Sequence, residues 1–133
     1  MNVILANGVF DVFHIGHLRY LEAARALDSG PLIVSVTRDS HVNKGPDRPM
    51  FDQFVRCAIL RALAIVDEVI LCDDLRDAMV RTKPTIVVKG SEYKGKMLRT
   101  DLAYMRSHGI RLEFTDTMFA SSTKIIADGL VQR

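Results

Sequence analysis

The most constraining feature of this sequence is the alternation of short apolar runs with longer segments that have helical spacing. Five runs are predicted as strands: Val3–Ala6, Leu32–Val36, Glu68–Leu71, Ile86–Val88 and Arg111–Phe114. Strands that alternate with helices pair most simply as a parallel sheet with helices on both faces. The sequence therefore predicts an α/β fold, a single doubly wound domain over residues 1–133 with a mainly parallel five-stranded sheet.

The intervening segments predict helices at several places. Apolar residues at helical spacing mark one helix face at Leu18, Leu21, Ala24 and Leu27, and a second at Val55, Ile59, Leu60 and Leu63. Asp52 is expected near the start of the second helix, Asp101–His108 forms a third that Gly109 closes, and a last short helix begins near Ser122. Two segments fit no element and are expected to be functional loops: Thr37–Pro49 and Lys89–Lys96.

The charge balance gives no indication of a polyanionic partner. The chain has 18 Lys and Arg against 16 Asp and Glu, a net charge of +2. That charge is too small to indicate binding to nucleic acid or to a membrane surface. The basic residues Lys94, Lys96 and Arg99 have one aromatic neighbour, Tyr93, and one ring provides no platform for stacking the bases of a single-stranded nucleic acid. We therefore expect neither nucleic acid nor membrane as a partner.

The cysteines and the apolar segments indicate the cellular compartment in which the protein is expected. Cys57 and Cys72 each lie in an apolar stretch without metal-ligand spacing, which predicts buried, reduced thiols. The first apolar run is interrupted at Asn7-Gly8, unlike a signal peptide, and no run has the length needed to cross a bilayer. These observations favour the cytoplasm.

The residues after the first predicted strand carry the clearest chemistry. His14 and His17 are three positions apart, so at the first turn of a helix they lie on one side. Gly16 allows the backbone to approach a bulky ligand, and the free amides of a helix start attract anions. An imidazole beside phosphate can carry a proton and stabilise charge that develops in a transition state.

The same histidines allow two alternative roles. They could simply cap the helix or pack against it. They could also ligate zinc, although zinc needs three or four ligands and the other histidines, His41 and His108, are scattered without a neighbouring cysteine. We predict no resident metal site.

The whole phrase from Gly8 to Leu18, Gly-Val-Phe-Asp-Val-Phe-His-Ile-Gly-His-Leu, resembles the signature of the cytidylyltransferase-like nucleotidyltransferases. Near the other end, Ala120-Ser121-Ser122-Thr123-Lys124 is similar to the Ser/Thr-rich phosphate-binding turn of that family. Hydroxyls, free amides and a lysine at a helix start suit the β- and γ-phosphates of a nucleotide. As an alternative, Ser121 or Ser122 is an ordinary helix cap.

The resemblance implies a Rossmann-like fold and a set of site residues. Catalytic roles fall on His14, His17, Lys44 and Lys124, and acceptor contacts on Lys44, Arg48 and Arg56. Nucleotide contacts fall on Gly8, Val9, Phe10, Asp11, Gly16, Lys89, Gly90, Glu92, Tyr93, Ser121, Ser122 and Thr123. Two alternatives stay open: Asp11 either orients Mg²⁺ or bonds to the first loop, and Arg56 either contacts substrate or lies on a solvated helix face.

The resemblance also suggests a reaction. Lys89-Gly90-Ser91-Glu92-Tyr93 is similar to the Lys-Gly-Gly-Asp-Tyr element in the adenylyltransferase domain of bacterial heptose-phosphate enzymes. We therefore expect transfer of a nucleoside monophosphate, AMP in preference, from a Mg²⁺-bound nucleoside triphosphate to a sugar phosphate, with release of pyrophosphate. The alternatives are a CTP-dependent glycerol-3-phosphate cytidylyltransferase and a nucleotide-binding domain without catalysis. A homodimer is implied by the resemblance alone.

Overall fold

A computed structural model describes residues 1–116 of the chain. Its five strands are β1 (Ile4–Gly8), β2 (Leu32–Thr37), β3 (Glu68–Cys72), β4 (Ile86–Gly90) and β5 (Arg111–Thr115). They form one sheet in the order β3-β2-β1-β4-β5, and every neighbouring pair is parallel. The predicted α/β fold with five parallel strands is confirmed. The helix expected near Ser122 lies outside the described residues.

Four helices cover the two faces of the sheet in the part of the chain that the structure describes. They are α1 (Ile15–Ala26), α2 (Gln53–Arg61), α3 (Leu75–Thr82) and α4 (Arg99–Ser107). α1 and α2 pack on one face around residues such as Leu21 and Leu60, while α3 and α4 pack on the other around Met79 and Met105. No helix within residues 1–116 is long and apolar enough to cross a membrane.

The structure adds to and corrects the predicted helices. α3 was not predicted; it begins after Asp74, whose carboxylate accepts a hydrogen bond from the Asp77 amide at 2.8 Å. On α2 the predicted apolar face is wrong in part, because Val55 is 44% exposed whereas Arg56 and Cys57 are fully buried. The helix turns Arg56 inward because that side chain finds buried oxygen acceptors at the sheet edge.

Both predicted functional loops lie at the carboxyl edge of the sheet. The first contains a short 3₁₀ turn at Asp39–His41. In the second, Lys89 and Gly90 are the last residues of β4 rather than loop residues, and a 3₁₀ turn at Ser91–Tyr93 follows them. Cys57 and Cys72 are free and buried, as predicted.

Candidate active site

A strained turn carries the chain from β1 into α1. Phe10 and Val12 both adopt left-handed backbone angles, with φ of 55° and 50°. Such angles are unfavourable for a β-branched residue and are found where surrounding contacts enforce them. The Phe10 ring provides such contacts, because it packs against the His17 ring at 5.4 Å between centroids and a Cβ on Gly8 would lie 3.0 Å from it. This turn places the two histidines at the first turn of α1.

His14 and His17 cap α1 through one nitrogen each. The Nδ1 of His14 accepts a hydrogen bond from the Gly16 amide at 3.0 Å, and the Nδ1 of His17 accepts one from the His14 amide at 3.2 Å. The two rings stack with centroids 3.9 Å apart. Because a neutral imidazole that accepts through Nδ1 carries its proton on Nε2, both side chains present an Nε2–H donor. The capping role is therefore confirmed, and the Nε2 of each ring lies outside the cap.

Both histidines are neutral at neutral pH. Burial, followed by the nearby charges of His14 and Lys44, lowers the pKa of His17 from 6.5 to about 3. Burial and Lys44 also lower the pKa of His14. The Nε2 of His14 is buried and has no hydrogen-bond partner within residues 1–116. The imidazoles are therefore neutral in this structure, and the positive charge near them is that of Lys44.

Asp11 anchors the loop that precedes α2. Its buried carboxylate accepts hydrogen bonds from Arg48 Nε at 2.8 Å and from the amides of Met50 and Phe51 at 2.8 and 2.9 Å. Burial alone would raise the pKa of Asp11, but the two amides and Arg48 outweigh it and lower the pKa. Of the two roles considered for Asp11, the structure shows the bond to the loop. Arg48, expected at the acceptor, has a side chain only 7% exposed and pairs with Asp11.

The expected contact between Arg56 and substrate does not fit the structure. The Arg56 side chain is fully buried, which also excludes the solvated alternative. Its guanidinium donates to the carbonyls of Phe51, Val9 and Thr37 and to Asp39 Oδ1 at 2.6 Å. Arg56 therefore ties the ends of β1 and β2 to the loop before α2, and it acts on the site through the backbone.

A crevice of about 320 Å³ opens beyond the carboxyl ends of the strands. Predicted site residues that line it are Gly8, Val9, Lys44, Lys89 and Tyr93. Sequence reasoning missed other lining residues: Asn7, Asp73, Asp74 and Asp101. The first three could have been found, because polar side chains that end or follow parallel strands face the ligand crevice of such sheets. Asp101 could not, since it comes from α4.

Lys89 and its neighbours form the floor of this crevice. Lys89 is 5% exposed, and its Nζ donates to the backbone oxygen and Oδ1 of Asn7 at 3.2 and 3.3 Å. The same Nζ lies 4.2 Å from the centroid of the Tyr93 ring. Glu92 lies against Gly90, where a Cβ would come within 2.1 Å of Glu92 Oε1. The structure thus brings Lys89, Gly90, Glu92 and Tyr93 together at the end of β4.

The other predicted site residues are Gly16 and four residues near the carboxyl terminus. Gly16 is buried in the first turn of α1. Ser121, Ser122, Thr123 and Lys124 lie outside the described residues. Within residues 1–116, no three His, Cys, Asp or Glu side chains come together in a way that could hold a metal ion.

The parallel α/β fold and the histidine pair at the start of α1 agree with the family resemblance of the sequence. The profile of the cytidylyltransferase-like family matches residues 5–128. The chain belongs to this cytidylyltransferase-like family.

Curated relatives from several bacteria share one name. "Bifunctional protein HldE" of a Nitratiruptor species is 41% identical over 106 residues, covering 76% of this chain and 23% of that protein. The protein of the same name in Syntrophotalea carbinolica is 35% identical over 136 residues, covering 98% of this chain and 27% of that protein. The chain therefore spans only about a quarter of the length of these relatives.

Solved structures agree on the fold. The crystal structure of the lipopolysaccharide core biosynthesis protein from Thermoplasma volcanium has a TM-score of 0.74 and 31% identity, and it covers 88% of this chain and 98% of that one. Pantothenate synthetase from Thermus thermophilus has a TM-score of 0.64 at 14% identity, covering 86% of this chain and 55% of that one. The second likeness concerns the fold alone.

Proposed function

We propose that the protein transfers an adenylyl group from ATP to the phosphate of a sugar phosphate and releases pyrophosphate. The observation that carries the proposal is the pair of neutral Nε2–H donors of His14 and His17, which do not line the crevice themselves but lie within the electrostatic reach of Lys44, a residue that does. The name of the Thermoplasma volcanium protein supports a sugar acceptor, because a lipopolysaccharide core is an oligosaccharide. The likeness of Lys89–Tyr93 to the heptose-phosphate branch supports the adenylyl group and a heptose phosphate as the acceptor.

The reaction suits neutral histidines. An oxygen of the acceptor phosphate attacks the α-phosphorus in line, the bond from that phosphorus to the bridging oxygen breaks, and pyrophosphate leaves. The attacking oxygen is already anionic, so no side chain has to remove a proton from it. The enzyme must position two anions and offset the growing negative charge. The histidine Nε2–H groups donate to that charge, and Lys44 adds a positive charge at the rim of the crevice.

The magnesium ion belongs to the nucleotide substrate in this proposal. Mg²⁺ is usually held by phosphate oxygens and waters with few protein ligands. Asp11 is occupied by Arg48 and the loop amides, so it does not serve as a ligand here. Ser121, Ser122, Thr123 and Lys124 are proposed to hold the β- and γ-phosphates, and the homodimer stays a prediction.

The proposal is tested by pyrophosphate release with ATP, CTP, GTP and UTP, each combined with a heptose 1-phosphate, mannose 1-phosphate or glycerol 3-phosphate. We expect the fastest release with ATP and a sugar phosphate. Preference for CTP with glycerol 3-phosphate would replace the proposal with the cytidylyltransferase alternative. Nucleotide binding without release for any acceptor would favour a domain that only binds nucleotide.

A further inference from the structure

Lys89 is a buried cation without a carboxylate partner in the described structure. It is 5% exposed, and none of the ion pairs within residues 1–116 includes it. Its two hydrogen bonds go to neutral oxygens of Asn7 at 3.2 and 3.3 Å, which are long for a charged donor. Burial lowers the pKa of Lys89 to about 8, and the more distant charges of Glu92 and Asp101 offset only part of that effect. A buried ammonium without an ion pair is costly to the fold, and a further hydrogen bond from Nζ to a group bound in the crevice would reduce that cost.

The position of Lys89 separates it from the histidine pair. Lys89 and Asn7 lie at the ends of β4 and β1, and the crevice there is closed by residues before α3 and by Asp101 of α4. His14 and His17 start α1, which packs on the opposite face of the sheet. Lys44 joins the two parts, because it lines the crevice and its charge also lowers the pKa of both histidines.

The charges in the crevice indicate what would bind over Lys89. Among the described lining residues, three lysines (Lys44, Lys89 and Lys96) are balanced by three aspartates (Asp73, Asp74 and Asp101). Donors and acceptors therefore lie side by side in this crevice, which suits hydroxyl groups, because each of them both donates and accepts a hydrogen bond. The volume of about 320 Å³ is within the range of small-molecule sites.

We propose that Lys89 is a specificity-determining residue that donates hydrogen bonds to hydroxyl groups of a polyhydroxylated acceptor, whose phosphate lies at Lys44. The proposal rests on the proposed function and assigns Lys89 to the acceptor instead of the nucleotide. Asn7 and the Tyr93 ring hold the ammonium in place, and Asp101, which is 7% exposed and 3.5 Å from Arg76 Nε, supplies an acceptor at the same wall.

The test compares Lys89→Met with Lys94→Met in the full chain. Methionine keeps the unbranched chain of lysine up to the position of Cε and removes the ammonium with its donors. Lys94 is an exposed lysine of the neighbouring loop, with Nζ 5.7 Å from the centroid of the Phe114 ring. For Lys89→Met we expect the KM for the acceptor that the wild type prefers to rise roughly 10- to 100-fold, because the site loses the charged donor that bonds to the hydroxyl groups of that acceptor. The nucleotide KM and the thermal shift with Mg-ATP should stay as in the wild type. Lys94→Met should change neither.

The outcomes separate this proposal from the proposed function. The proposed function is judged on the wild type alone, by which acceptor it prefers, and the inference by the ratio of variant to wild type with that preferred acceptor. A higher nucleotide KM at unchanged acceptor KM would overturn the inference by making Lys89 a nucleotide ligand. Unchanged constants for both substrates would also overturn it. If Lys89→Met does not fold, Lys89→Gln takes its place, and failure of both to fold would assign Lys89 to stability and overturn the inference.

Discussion

His14 and His17 use their two ring nitrogens for different purposes. Each Nδ1 completes the hydrogen bonding of the first turn of α1, which leaves a fixed Nε2–H on each ring. A helix cap contributes about 1 kcal/mol to stability, whereas a donor to a developing oxyanion contributes more to the rate than to the fold. The cap bonds at Nδ1 therefore fix both the tautomer and the orientation of the two imidazole rings.

For this pair of residues, we predict that His17→Ala lowers the turnover number about 100- to 1,000-fold, because one donor to the transition state is lost. The free energy of unfolding should fall by about 1 to 2 kcal/mol, since the cap bond to the His14 amide and the packing of the His17 ring against Phe10 and His14 disappear. Pyrophosphate release and urea unfolding measure the two effects. His108→Ala is the control, because His108 is an exposed histidine that stacks on Tyr104 at the end of α4. Near-normal turnover of the His17 variant would refute the assigned role.

The low pKa of His17 predicts a pH dependence of stability. The pKa falls from 6.5 to about 3 on folding, so between these values the unfolded chain binds more protons at this position than the native one. Stability contributed by neutral His17 is therefore present above pH 6.5 and is lost as the pH falls, by at most about 1.4 kcal/mol per pH unit. His17→Gln should remove this part of the loss. Urea unfolding at about pH 7 and about pH 4.5 measures it, and equal losses in both proteins would contradict the burial of a neutral imidazole.

Among the structural elements, the loop between β2 and α2 is held against the end of β1 by two buried side chains. Asp11 accepts the amides of Met50 and Phe51, and Arg56 donates to the carbonyls of Val9 and Phe51. The loop that carries Lys44 is therefore joined on one side to the turn that leads into the histidine pair. Neither Asp11 nor Arg56 needs to touch a substrate to affect the geometry of the crevice.

We predict that Asp11→Asn lowers the free energy of unfolding by about 3 kcal/mol, because it leaves the buried Arg48 guanidinium without this carboxylate partner. Urea unfolding at neutral pH measures the loss. Asp47→Asn is the matched control, since Asp47 is exposed in the same loop. If both variants were equally stable, Asp11 would not anchor the loop.

For the molecule as a whole, the recurrence of short apolar strands was sufficient to predict a parallel sheet, although no helix was predicted between β3 and β4, where α3 lies. The strand order β3-β2-β1-β4-β5 was not predicted, since it depends on which crossovers pack on which face. The burial of Arg56 on α2 could not be predicted either. It depends on bonds from Arg56 to Val9 and Thr37, which are distant in sequence.

The site was predictable to the extent that local sequence determines it. The first turn of α1 brings His14 and His17 together through contacts among neighbours, and their spacing indicated this. The pairing of Asp11 with Arg48 and the position of Asp101 in the crevice wall join residues from separate elements. No pattern in a single sequence signals such contacts, because they arise only when the helices pack on the sheet.

In the proposed reaction, an oxygen of the acceptor phosphate attacks the α-phosphorus of the nucleotide. Incubation of the protein with mannose 1-phosphate and ATP labelled with radioactive phosphorus at either the α- or the γ-position tests it directly. We predict that the α-label appears in a nucleotide sugar and the γ-label in pyrophosphate. Transfer of the γ-label to the sugar phosphate would contradict the account, because it would show that the protein transfers a phosphoryl group.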